Sequence, residues 1–136
     1  MPGNPYSTYE SANIEGMSQR ELEASVLTKA GVMFKRCQEN WDAPDRDEKL
    51  AEAIKYNQMV WSFFQAELVQ PDNPLPKKLR EDILSLSVFI DKRLFEVLAY
   101  PNPEKLNAVI NINCNLASGL RINSSSTEQA KLAENF

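Results

Sequence analysis

The chain has 136 residues, a net charge of -4 and no histidine. This length fits one domain and suffices to bury a core without disulfides or metal ions. Without histidine, Ser-His-Asp and Cys-His catalysis and histidine-based metal sites are excluded. The negative charge also disfavours a phosphate backbone as a direct partner. We therefore expect no enzymatic activity, no cofactor, no bound metal and no direct nucleic-acid partner.

The cysteines and the hydropathy pattern indicate the cellular compartment in which the protein is expected. Cys37 and Cys114 are far apart in the sequence and fit no metal-binding spacing. The first residues lack the basic region and apolar core of a signal peptide. No apolar run approaches the roughly 20 residues that span a bilayer. We therefore expect a cytoplasmic protein with reduced thiols and no membrane insertion.

The N-terminal part combines a polar segment with a capped helix. Residues 1–17 are polar and without periodicity, which predicts a mobile arm whose Tyr6 and Tyr9 can dock on a surface. The first helix is predicted over residues 18–40. Ser18 and Glu21 form a capping box there, immediately before an apolar stripe.

The second helix is predicted over residues 45–70. It opens with acidic residues, which suit the positive end of a helix dipole. An apolar stripe with steps of three and four follows, and Met59 and Phe63 mark a second apolar face. Because a single bundle does not readily cover both faces, Met59 and Phe63 are candidates for contact with a partner.

The third and fourth helices follow two proline-containing breakers. Residues 71–74 interrupt the chain, and the third helix is predicted over 76–99, with surplus apolar residues at Val88 and Phe95. The fourth is predicted over 103–119, with Gly119 as the residue that ends it. Residues 121–136 are interpreted as a polar tail, with or without a short terminal helix near Ser126.

These elements predict an all-α fold, a small helical bundle of about four main helices. The bundle occupies residues 18–120, between the arm and the tail. The predicted structural core consists of apolar stripe residues from the second, third and fourth helices: Leu50, Ile54, Trp61, Phe64, Leu79, Ile83, Leu86, Ile90, Leu94, Val109 and Leu116.

Two asparagines, Asn57 and Asn113, interrupt apolar stripes. A buried amide must find hydrogen-bond partners. Either these amides bond to loop carbonyls and fix the bundle, or they pair with the backbone of a partner. The second alternative adds Asn57 to the partner-binding candidates, which are then Met59, Phe63, Asn57, Val88, Phe95, Tyr6 and Tyr9.

Three segments together resemble a known family. They are N-x-x-x-W from Asn57 to Trp61, PDNPLPKKLREDILSLSVFI over 71–90, and ININCNLASGL over 110–120. They resemble the flagellar biosynthesis regulator FlaF of alphaproteobacteria. The capped start SQRELEASVLTKA over 18–30 is similar to that family's first helix. The resemblance covers roughly residues 5–121, and the tail looks longer than the family's usual end.

The resemblance implies a role in making flagellin available for filament assembly, after transcription and alongside the regulator FlbT. One interpretation is a secretion chaperone that binds flagellin in the cytoplasm. The alternative is a regulator of flagellin translation that acts through FlbT or the message. A third is a structural subunit of a flagellar or export assembly.

The physical properties favour the chaperone. A small helical protein with surplus apolar surface can cover an amphipathic helix of a partner. The negative charge and the lack of an aromatic and basic patch argue against direct binding of the message.

Overall fold

The computed structural model describes the backbone of residues 18–134 and the side chains of residues 18–122. The described residues form four α-helices and one short 3-10 helix, and no β-strand. The elements are α1 (Gln19–Glu39), α2 (Arg46–Leu68), α3 (Lys77–Ala99), the 3-10 helix (Pro103–Leu106) and α4 (Asn107–Glu134). The predicted all-α class is confirmed. Tyr6 and Tyr9 lie outside the described residues.

Local capping accounts for several helix boundaries. The Ser18 hydroxyl accepts a hydrogen bond from the Glu21 backbone N–H at 3.1 Å, so α1 begins at the predicted cap. α3 begins directly after Pro76, which fits the first turn of a helix. The Asn102 side chain accepts from the Glu104 backbone N–H at 2.9 Å and starts the 3-10 helix that precedes α4.

The predicted end of the fourth helix at Gly119 is wrong, because α4 continues to Glu134. A glycine that ends a helix usually has a positive φ angle, but Gly119 does not have one. Leu120, the next residue, is buried against the core, so packing favours continuation of the helix beyond the glycine. The backbone of residues 121–134, which we interpreted as a tail, therefore belongs to α4.

The bundle is centred on α1, which packs against both α4 and α2. α3 packs mainly against α2 and the 3-10 helix, and to a lesser extent against α4. It therefore lies at the side of the bundle, with much of its surface uncovered. The structure places eight predicted core residues in the interior: Leu50, Ile54, Trp61, Phe64, Ile83, Ile90, Leu94 and Val109.

The remaining predicted core residues occupy other environments. Leu116 is half-buried and packs against the core. Leu79 and Leu86 are 41 % and 36 % exposed, which corrects their assignment to the core. The buried face of α3 is rotated toward Ser87, which is 2 % exposed and accepts a hydrogen bond from the Gln65 side chain.

A candidate protein-binding face on α3

α3 has apolar side chains on two faces, and the bundle covers only one of them. The buried face carries Ile83, Ser87, Ile90, Leu94 and Val97. Apolar residues on the outer side are strongly exposed: Val88 is 68 %, Phe95 74 % and Leu98 58 % exposed. Exposed apolar residues scattered singly are ordinary, but a row of them on one helix marks an interaction surface.

These residues follow a regular spacing along the helix. Positions 84, 88, 91, 95 and 98 are separated by alternating steps of four and three, the spacing of a helix face that packs against another helix. Four of the five are apolar, namely Leu84, Val88, Phe95 and Leu98, and we call them the outer stripe. Leu84 is half-buried at one end, and Asp91 occupies the middle position.

Polar contacts fix the rotation of α3 and so turn the outer stripe outward. The amide of Gln65 on α2 donates to the hydroxyl of Ser87. Near the other end of α3, the Arg93 guanidinium donates to the Lys105 backbone carbonyl at 3.3 Å. Arg93 also lies over the Phe89 ring at 5.1 Å, and Phe89 is 39 % exposed. The side chains of the outer stripe take no part in these contacts.

The α2 candidates lie on a different surface from the α3 candidates. Met59 is half-buried and Phe63 is 43 % exposed. Successive residues of an α-helix are rotated by about 100°, so Phe63 lies nearly opposite Gln65 around α2. Because Gln65 contacts Ser87 on α3, Phe63 faces away from α3. Met59 and Phe63 on α2 therefore do not line one common groove with Val88 and Phe95 on α3.

Asn57 is not a surface residue, which corrects its place among the partner-binding candidates. It is 1 % exposed, and its side-chain oxygen accepts a hydrogen bond from the Asn113 amide at 2.8 Å. The Asn113 oxygen in turn accepts from the Trp61 indole N–H at 2.8 Å. The two asparagines thus bond to each other inside the core, which neither sequence-based alternative anticipated.

Sequence reasoning also missed residues of α3. Leu98 belongs to the outer stripe, and its spacing from Val88 and Phe95 could have identified it. Ser87 was overlooked because a serine between apolar residues gives no signal of burial, and Ser85 two residues earlier is exposed. Only its contact with Gln65, which is distant in sequence, explains its position.

A concave feature separate from the outer stripe lies between the end of α1 and the start of α2. It is a cleft of about 430 Å³ with Cys37 in its wall and charges of both signs around it. Lys49 is paired with Glu52 at 3.7 Å, and Arg46 with Asp47 at 2.9 Å. Burial raises the pKa of the Cys37 thiol, which keeps it protonated and unreactive at neutral pH. Among the described residues, no group of acidic or sulfur side chains is arranged to hold a metal ion.

The fold and the outer stripe define a small helical bundle with an uncovered apolar helix face. The family model of the flagellar protein FlaF matches residues 5–120 of the chain. The protein therefore belongs to the FlaF family, as the sequence resemblance indicated. No curated protein and no solved structure matched the chain. Within the described residues, no helix is long and apolar enough to cross a membrane.

Proposed function

We propose that this protein binds flagellin in the cytoplasm as a non-enzymatic secretion chaperone, and so promotes flagellin production and filament assembly. Membership of the FlaF family supports a flagellar role. The observation that carries the chaperone mechanism is the outer stripe on α3, where Val88, Phe95 and Leu98 are all more than half exposed.

The exposed apolar side chains of the outer stripe are suited to pack against the apolar face of an amphipathic helix. Free flagellin exposes amphipathic terminal helices before it polymerises, and a helix face with regularly spaced apolar residues can shield one of them. Burial of one Val, Leu or Phe side chain contributes about 1.5–3 kcal/mol. Because Val88, Phe95 and Leu98 are about two-thirds exposed before binding, together they contribute about 3–6 kcal/mol, from which the entropic cost of association is subtracted. This energy suits a reversible complex, as a chaperone requires.

The charges of α3 argue against the alternative of direct message binding. The densest basic spot of the sequence lies at the start of this helix, but its lysines are engaged with acids. Lys77 pairs with Glu81 at 3.9 Å and Lys78 with Asp82 at 2.9 Å. Because carboxylates beside these lysines weaken the local positive potential, any RNA affinity is expected to be weak and to fade with salt. FlbT, which the resemblance implies, is proposed as a further protein partner.

The proposal is tested with purified full-length protein and monomeric flagellin. Size-exclusion chromatography with light scattering should show a discrete complex of the two, and the complex should delay flagellin polymerisation. Flagellin truncated of its terminal helices is the matched control and should not bind. If intact flagellin forms no complex, while the protein alone binds a flagellin leader RNA at high salt, the translational alternative replaces the chaperone.

A further inference from the structure

The middle of the outer stripe carries a carboxylate, Asp91, that has no cation three or four residues away along the helix. α3 contains four acids, and three of them form ion pairs within the helix: Glu81 with Lys77, Asp82 with Lys78, and Glu96 with Arg93. Asp91, the fourth, is exposed and forms no ion pair among the described residues.

The local sequence explains why Asp91 lacks an intramolecular partner. On a helix surface, a side chain meets the residues three and four positions away. For Asp91 these are Ser87 and Val88 on one side, and Leu94 and Phe95 on the other. None of them is a cation. Lys92 is adjacent in sequence but is rotated by about 100° around the helix, outside the outer stripe.

We propose that the outer stripe receives one amphipathic helix whose apolar face carries a Lys or Arg opposite Asp91. Asp91 lies between Val88 and Phe95 along the stripe, so a helix that covers both residues also covers the carboxylate. A carboxylate removed from water without a partner is strongly unfavourable, whereas one paired with a cation is compensated. The occupant therefore supplies the cation. This inference rests on the proposed function, and it specifies which kind of flagellin segment binds.

Charge also distinguishes this occupant from two other candidates, the segment of residues 1–17 and a second copy of the chain. Residues 1–17 of the chain contain Glu10 and Glu15 and no Lys or Arg, so this segment offers no side-chain cation to Asp91. A second copy that pairs stripe to stripe about the midpoint brings two Asp91 carboxylates together, which is repulsive. A different chain with a basic residue in its apolar face satisfies both the apolar residues and the carboxylate.

The test measures the affinity of monomeric flagellin for Asp91→Leu and Asp91→Asn. Asp91→Leu extends the apolar stripe, so on hydrophobicity alone it would bind more tightly. Loss of the ion pair instead predicts that both variants bind at least about tenfold more weakly, because the flagellin cation is left covered and unpaired. Asp82→Leu is the matched control, since Asp82 lies on the same helix outside the stripe, and it should bind like wild type.

The outcomes separate the two levels of the proposal. If wild type binds flagellin and Asp91→Leu binds equally or more tightly, no cation faces Asp91 and this inference is overturned, while the proposed function stands. If wild type does not bind flagellin, the proposed function fails and the inference with it. Further support would come from Asp91→Lys losing affinity and regaining it with a flagellin in which a basic residue of the bound helix is changed to Glu.

Discussion

The Trp61 indole N–H donates a hydrogen bond of 2.8 Å to the Asn113 side-chain oxygen, and both residues are buried. Asn113 also donates to Asn57 at 2.8 Å, which extends the contact into a three-residue network. The network joins α2 to α4 inside the core. Since each bond requires one particular alignment of the helices, the network specifies how α2 and α4 are placed relative to each other as well as adding stability.

Removing Asn113 should therefore be costly. Asn113→Ala leaves the Trp61 N–H and the Asn57 oxygen buried without this partner, and an unsatisfied buried group costs about 1–3 kcal/mol. We expect a loss of about 2–4 kcal/mol in the free energy of unfolding, measured by urea denaturation. Asn115→Ala, an exposed change on the same helix, should stay within about 0.5 kcal/mol of wild type. A loss below about 1 kcal/mol for Asn113→Ala would contradict the role of the network.

The two described glycines of the bundle should respond in opposite directions to alanine. A Cβ at Gly119 would meet nothing within 4 Å, so Gly119→Ala should stabilise α4 by about 0.5–1 kcal/mol. A Cβ at Gly31 would lie 2.9 Å from the Cys114 sulfur, so Gly31→Ala should destabilise by about 1–3 kcal/mol. Thermal unfolding of both variants tests this pair.

A rescue variant identifies the cause of the Gly31 effect. If the clash with the Cys114 sulfur is responsible, Gly31→Ala should cost less in a Cys114→Ala background, because the sulfur is absent. An equal cost in both backgrounds would show that another neighbour of Gly31 limits the space.

Glu23 should give the bundle a pH-dependent stability. Burial, and then the nearby Glu67 carboxylate, raise the pKa of Glu23 above its ordinary value of 4.5, although Arg20 lies 4.0 Å away. A raised pKa means that the folded state is favoured when the Glu23 carboxyl is protonated and disfavoured when it is ionised. The stabilisation that protonated Glu23 contributes is therefore fully present at low pH. It is lost as the pH rises from 4.5 through the folded-state pKa.

Glu23→Gln should therefore be more stable than wild type at neutral pH. The difference should vanish below about pH 4, where Glu23 is protonated in both states. Urea unfolding at several pH values measures it. Asp42→Asn, an exposed change between α1 and α2, should change little across the range. A Glu23→Gln variant less stable than wild type at pH 7 would show that the contact with Arg20 outweighs burial.

The sequence was sufficient to predict the helices and most of their boundaries, because caps, prolines and apolar spacing are local signals. It was insufficient at Gly119, where burial of Leu120 overrides the local preference of glycine for a helix end. On α3, so many positions are apolar that spacing alone could not separate Leu86, which is exposed, from Ile83, which is buried.

For the candidate site, too, the sequence was sufficient where the signal is local and insufficient where tertiary packing decides. The surplus apolar residues Val88 and Phe95 could be selected from spacing, and their exposure is clear in the structure. The partner of Asn57 could not, since Asn113 lies 56 residues away and only the tertiary arrangement, in which α2 and α4 both pack against α1, brings them together. Assigning Met59 and Phe63 to a separate surface likewise required knowing which side of α2 contacts α3.

A variant of the α2 surface distinguishes the two apolar faces. In Met59→Asp with Phe63→Asp, the apolar face opposite the α3 contact is disrupted while the outer stripe is intact. We expect this double variant to bind flagellin like wild type, provided that circular dichroism shows it folded. If the folded variant no longer binds flagellin, the binding site lies on α2 and not on α3.

The most direct measurement is the affinity of monomeric flagellin for Val88→Asp combined with Phe95→Asp. Both residues are more than two-thirds exposed, so the double variant should remain folded by circular dichroism. Two charges placed in a face that packs against an apolar helix should reduce affinity by about a hundredfold or more. Val69→Asp, another exposed apolar residue outside α3, should bind like wild type. If the folded double variant instead binds flagellin with wild-type affinity, the outer stripe is not the flagellin site.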